Sequence, residues 1–136
     1  MRLLFPVLVV AFSACGPREL RVTMNSDNNS GQVGFAVITD RGARGFTVLV
    51  DTTRPELDQA QQAHIHPGSC GELGAIRAHL NPLAAEGCAE GRFCSSTEVK
   101  AEVMKFTDFE ADSWVINVHD ARDLRLYVSC GEIPQP

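Results

Sequence analysis

Two of the four histidines stand in Ala63-His64-Ile65-His66. On a strand, side chains at i and i+2 project from one face, so His64 and His66 lie side by side while Ala63 and Ile65 face the other way. Two neutral imidazoles so placed can both ligate an ion of the copper or zinc type. The same spacing also fits two surface histidines. His119 ends Trp114-Val115-Ile116-Asn117-Val118-His119, where Asn117 and His119 share one face and Ile116 and Val118 the other. His79 lies in Ala78-His79-Leu80-Asn81-Pro82-Leu83, read as a loop because the residue before a proline avoids helix and Asn-Pro favours turns.

The elements that must carry these residues are short strands. Val33, Phe35 and Val37 alternate at period two, as do Phe46, Val48 and Val50, with the turn-prone Asp40-Arg41-Gly42-Ala43 between them, which predicts a hairpin. Val99, Ala101 and Val103 alternate with charged residues, the pattern of a strand with one wet face. Trp114 to His119 and Leu124 to Cys130 continue the β character, and Pro55 to Gln62 can form a short helical turn. Short strands with regular turn signals predict an all-β sandwich or barrel. Pro67-Gly68-Ser69-Cys70 should end the His64–His66 strand and set a cysteine beside the pair.

The chain has 136 residues, 44% of them hydrophobic, with 12 basic against 17 acidic side chains and five cysteines. That suits one domain with a modest core. The net charge of −5 argues against a nucleic-acid partner, which needs surplus Lys and Arg. Residues 1–14 carry Arg2 and then an apolar run too short to span a bilayer, the form of an export signal. Phe12-Ser13-Ala14-Cys15-Gly16 resembles a bacterial lipobox, with Phe12 in place of the usual Leu, and implies lipidation of Cys15. Ordinary cleavage nearby would instead leave Cys15 as a free thiol. Residues 15–30, including the polar Asn25 to Ser30, read as a lipid-anchored tether and residues 31–136 as the folded domain. Without residues 1–14 the chain keeps 11 basic and 17 acidic side chains, a net charge of −6. Four cysteines then remain, which allow three pairings.

The order His-x-His, Cys, His-x-Asn-Pro-Leu, Val-His-x-x-x-Asp and Cys-Gly resembles copper/zinc superoxide dismutase over roughly residues 31–133. The resemblance implies a Greek-key β-sandwich or barrel of seven or eight strands; that enzyme is itself one of the sandwich examples from which the architectural rule is drawn. It implies His64, His66, His79 and His119 as ligands of one copper ion, with Asp123 orienting a ligating imidazole. It further implies a Cys70–Cys130 disulfide, which leaves Cys88 with Cys94; a metal-binding Cys88/Cys94 pair is the alternative. His64, His66 and His119 would be the catalytic set, and superoxide the small anionic substrate. Small exported bacterial proteins grouped with chordin-repeat domains are also similar, through Ala-His-Ile-His-x-Gly-x-Cys and Ile-Asn-Val-His followed by Cys-Gly-x-Ile, and in them the position near His79 is usually not histidine.

The departures from the dismutase pattern matter as much. Between Leu80 and Lys100 there is no histidine, only acids such as Glu86, Glu90 and Glu98, so a zinc site of the family type is not expected. Tyr127 stands where the family has its anion-attracting arginine, which leaves Arg77, Arg122 or Arg125 to guide an anion. The expectation is therefore a zinc-less, copper-only protein at the cell surface or in the periplasm, held to the membrane through its N-terminal lipid. Dismutation is the expected activity. Copper storage or delivery without catalysis, or an interaction module with a vestigial site, are the other readings.

Overall fold

Alternating burial runs through several of the strands, one face packing into a shared interior and the other facing solvent. The computed structural model describes residues 16–136, so the export segment and Cys15 fall outside the described residues. The strands are β1 (Glu19–Ser26), β2 (Gly34–Asp40), β3 (Gly45–Thr53), β4 (Gln61–Ser69), β5 (Glu72–Leu73), β6 (Ala78–Leu83), β7 (Arg92–Lys100), β8 (Trp114–His119) and β9 (Tyr127–Ile133). All named pairings are antiparallel, in the order β5-β4-β8-β9-β1-β2-β3-β7, with β6 also on β4. The two edges approach each other through an Ala84–Cys94 bridge and through Asn81, whose backbone N–H donates to Thr97 Oγ1 at 2.7 Å. The fold is thus all-β, an antiparallel sheet curled into a half-barrel whose edges touch at this bridge. The β3–β4 and β7–β8 connections join strands that are not neighbours, the Greek-key feature.

One face of each strand fills the barrel: Leu20, Val22 and Met24 from β1, Phe46, Val48 and Val50 from β3, Ala63 and Ile65 from β4, and Ile116 and Val118 from β8. At one end Phe46, Phe109 and Trp114 meet edge to face, and Trp114 Nε1 donates to the Asp108 carbonyl at 3.0 Å. At the other end the buried amides of Gln32 and Gln61 bond reciprocally, at 2.6 and 3.0 Å. A buried amide pair satisfied in this way closes the barrel without orphaned polar atoms.

Several expectations need correction. β1 is an interior strand between β2 and β9, so the fold includes residues 19–26 and the proposed tether cannot extend to residue 30. In β2 it is Ala36 and Ile38 that point inward, while Val33 and Phe35 are exposed; β1 and β3 on either side supply the larger side chains to the interior. β7 begins at Arg92 and ends at Lys100, whose carbonyl accepts from the backbone N–H groups of Val103 and Met104, so Val103 lies on an exposed turn. His79 is on β6, not in a loop. No helical turn forms at Pro55 to Gln62, where β4 already starts at Gln61.

The Cys70–Cys130 and Cys88–Cys94 disulfides are both present, which removes the metal-binding alternative for Cys88 and Cys94. Closing the longer loop stabilises by about 4 kcal/mol and the shorter by about 2 on chain-entropy grounds. Both bridges are compatible with an exported protein. Among the described residues no helix is long and apolar enough to cross a membrane. A chain starting at Gly31 loses Leu20, Val22 and Met24 and opens β2 and β9 as edges. At about 2 kcal/mol for each buried side chain, that loss rivals the stability of a whole domain. Such a chain should show no cooperative thermal transition, whereas one starting at Gly16 should melt sharply; equal melting of the two would refute the placement of β1.

Candidate functional site

The outer face of a barrel strand is normally wet, yet all six residues of β8 are buried. The covering comes from two loops. Residues 70–77 fold back over β4, pinned by Cys70 to Cys130 on β9, and residues 120–126 return over the end of β8. Cys130 pairs in register with Asn117, and Asn117 with His64, so the disulfide sits in the same outward row as the site residues. His64, His66 and His119 lie beneath this cover with only 4%, 5% and 6% of their surface exposed.

Each of two imidazoles is oriented by a backbone carbonyl. His66 Nδ1 is 2.8 Å from the Gly74 carbonyl oxygen and His119 Nδ1 is 2.6 Å from that of Leu124. A carbonyl only accepts, so Nδ1 of both rings carries the proton and Nε2 of both keeps a bare lone pair. His66 Nε2 is buried with no partner. His64 Nδ1 stands 2.9 Å from His119 Nε2, and the only arrangement open without an ion is donation from His64 to His119. The three ring nitrogens lie within 4.8 Å of one another. Nitrogens that ligate one ion at roughly 2.0–2.1 Å are about 2.9 Å apart at a right angle and about 3.4 Å apart in a tetrahedron, so His64 Nδ1 and His119 Nε2 already stand at ligand spacing, and the wider separations in the group close when an ion is held. A buried group of three histidines that can bind a metal ion is therefore present.

The electrostatics favour the ligating, neutral form. Burial, with smaller contributions from the neighbouring His119, His79 and His66, pushes the His64 imidazole down to about 4. Burial also lowers His119, against the pull of its bond to Leu124. A charged ring here would lose hydration without gaining a carboxylate.

The other expected site residues are placed less centrally. His79 faces His64 across β6 and β4, with ring centroids 4.8 Å apart, but it is exposed and lies outside the three-histidine group. Asp123 does not orient an imidazole. Its carboxylate accepts from the backbone N–H and guanidinium of Arg125, and the Leu124 carbonyl takes the place that the resemblance gave to Asp123. The three arginines are each engaged: Arg77 with Asp108, Arg122 with Asp120, Arg125 with Asp123. Tyr127 packs edge to face on His119 at 5.0 Å. Glu86, Glu90 and Glu98 are exposed, and among the described residues they join no metal-type cluster. A cleft of about 630 Å³ beside Cys70 and Cys130 is lined by Arg21, Asp27 and Glu132 and contains none of the histidines.

Sequence reasoning missed the carbonyls of Gly74 and Leu124, because a backbone acceptor has no residue signature. It placed Asn117 on the His119 face but gave it no role. No protein-family model, curated protein or solved structure matches the chain.

A pH dependence follows. An imidazole whose folded value lies near 4 and whose unfolded value lies near 6.5 takes up protons first in the unfolded state. Stability contributed by neutral His64 is complete above about pH 6.5, declines as pH falls toward 4, and stops declining below it. The thermal midpoint of chelator-treated protein should drop over this window, and His64→Gln should flatten the drop. An equal slope in both proteins would contradict the assignment.

Proposed function

We propose that this chain is an exported copper-binding protein with superoxide dismutase activity, carrying one copper ion on His64, His66 and His119 and no zinc. The observation that carries the reading is the buried, partnerless Nε2 of His66, in a three-histidine group whose ligand atoms lie within 4.8 Å of one another and in which His64 Nδ1 and His119 Nε2 are 2.9 Å apart. An orphaned buried acceptor costs about 1–3 kcal/mol, and a cation among three imidazoles removes that cost. Copper, when bound, would supply the one-electron couple that oxidises one superoxide to dioxygen and reduces the next to hydrogen peroxide.

The chain's own residues do the rest. Gly74 and Leu124 fix the tautomers of His66 and His119, so neither ring must turn when an ion arrives. His64 must carry its proton on Nε2 to present Nδ1 to an ion, a change of tautomer that releases no proton from the neutral ring. His79, exposed beside His64, is placed to exchange protons with solvent near the site. Steering of an anion is weak, since Arg77, Arg122 and Arg125 face carboxylates and the chain is acidic overall. The N-terminal reading completes the proposal, with export and a lipid on Cys15 placing the protein on a membrane surface.

The same neutralised arginines, with the low exposure of the ligands, favour a second reading in which copper is held or delivered without turnover. Titration of metal-free protein with copper should give one equivalent bound. His119→Ala should lower affinity at least on the order of a hundredfold, the upper range for disturbing a metal-site contact. Superoxide removal should appear with the first equivalent and vanish in His119→Ala. Stoichiometric copper with no removal of superoxide selects the second reading, and no stoichiometric copper refutes both.

A further inference from the structure

The site face holds one more polar group that nothing above uses. Asn117 is fully buried, at 0% exposure, directly across the strand pair from His64 and two residues before His119. Its Oδ1 has no hydrogen-bond partner. Its Nδ2 reaches only His119 Nε2, at 3.4 Å, a separation too long for a good N–H···N bond. Both ends of a buried amide are therefore nearly unsatisfied, in a protein whose other buried amide pair, Gln32 and Gln61, is bonded at both ends. Such an exception within a functional cluster calls for a missing partner.

The alternation of β8 puts Asn117 on the sheet surface between β4 and β9, in the row His79, His64, Asn117, Cys130. It thus forms the floor under the three histidines, whereas His79 is at the exposed side. The two ends of an amide have the same shape, and which one faces a neighbour is decided by the partners present. Two ligand atoms on one ion with bonds of about 2.1 Å in tetrahedral arrangement are about 3.4 Å apart. The amide atom nearest His119 Nε2 already has that separation.

Building on the copper reading, we propose that Asn117 is the fourth protein ligand, through its amide oxygen, and that His79 is not a ligand. A neutral oxygen donor is harder than imidazole and favours Cu(II) over Cu(I). Asn117 therefore biases the metal centre toward its oxidised state, and a softer or absent donor shifts it the other way.

The test compares full-length wild type with Asn117→Leu, Asn117→Asp and His79→Ala. Leucine matches the amide in size and removes an orphaned polar group, so metal-free Asn117→Leu should melt at or above the wild-type temperature. If leucine nevertheless disturbs folding, Asn117→Asp, which keeps the shape and an oxygen donor, carries the comparison. With copper titrated in each oxidation state, Asn117→Leu should lose Cu(II) affinity on the order of tenfold with little change for Cu(I). Its Cu(II) electron paramagnetic resonance spectrum should also change while still showing three nitrogen ligands. Asn117→Asp should bind Cu(II) more tightly than wild type, and His79→Ala should match wild type in spectrum and affinity. An Asn117→Leu or Asn117→Asp protein with wild-type spectrum and Cu(II) affinity overturns the proposal and leaves the copper reading standing. A change of spectrum in His79→Ala also overturns it. Wild type that binds no copper overturns both.

Discussion

The bond from His66 Nδ1–H to the Gly74 carbonyl, and its counterpart from His119 to Leu124, are the contacts on which the site depends. Each fixes a ring and a tautomer at once. Each also requires that a loop lie flat over the outer face of the sheet, where loops have no reason to stay unless something holds them. The Cys70–Cys130 bridge supplies that hold for the first loop. Gly74 lets its loop approach closely, since a Cβ there would fall 2.7 Å from the Pro67 ring. The second loop is a tight turn in which the Asp120 backbone N–H donates to the Leu126 carbonyl at 2.8 Å, bringing the Leu124 carbonyl over His119.

The consequence is a polar cluster buried outside the hydrophobic core. Strands β4 and β8 carry apolar side chains into the barrel on one face and imidazoles beneath the loops on the other. Burial on both faces favours the neutral form of His64 and His119 and leaves Nε2 of His66 without a hydrogen-bond partner. Charge is arranged differently from an anion-collecting site, because each nearby arginine is matched by an acid within a few residues or across a loop. The imidazole cluster is therefore defined by the orientation of its rings and not by a surrounding field of unpaired positive charge.

Much of this was legible in the residues themselves. Period-two alternation located β3, β4 and β8 and assigned their faces, since those strands alternate large apolar with polar side chains. It failed in β2, where Ala36 and Ile38 point inward, because both faces of that strand are apolar and periodicity cannot say which of two apolar faces is the core. β1 was hidden by the polar stretch that follows it, although Leu20, Val22 and Met24 alternate as clearly as any strand. His64, His66 and His119 were recognisable from spacing and resemblance. What sequence could not carry was the backbone: the carbonyls that orient the rings, and the capture of Asp123 by Arg125 only two residues away.

The central claim is that three imidazole nitrogens converge on one metal position. Anomalous diffraction at the copper edge from crystals of the copper-loaded protein tests it most directly. The account predicts a single strong peak within bonding distance of His64 Nδ1, His66 Nε2 and His119 Nε2. A peak held by surface carboxylates or by His79 alone, with His66 Nε2 still unliganded, would contradict it.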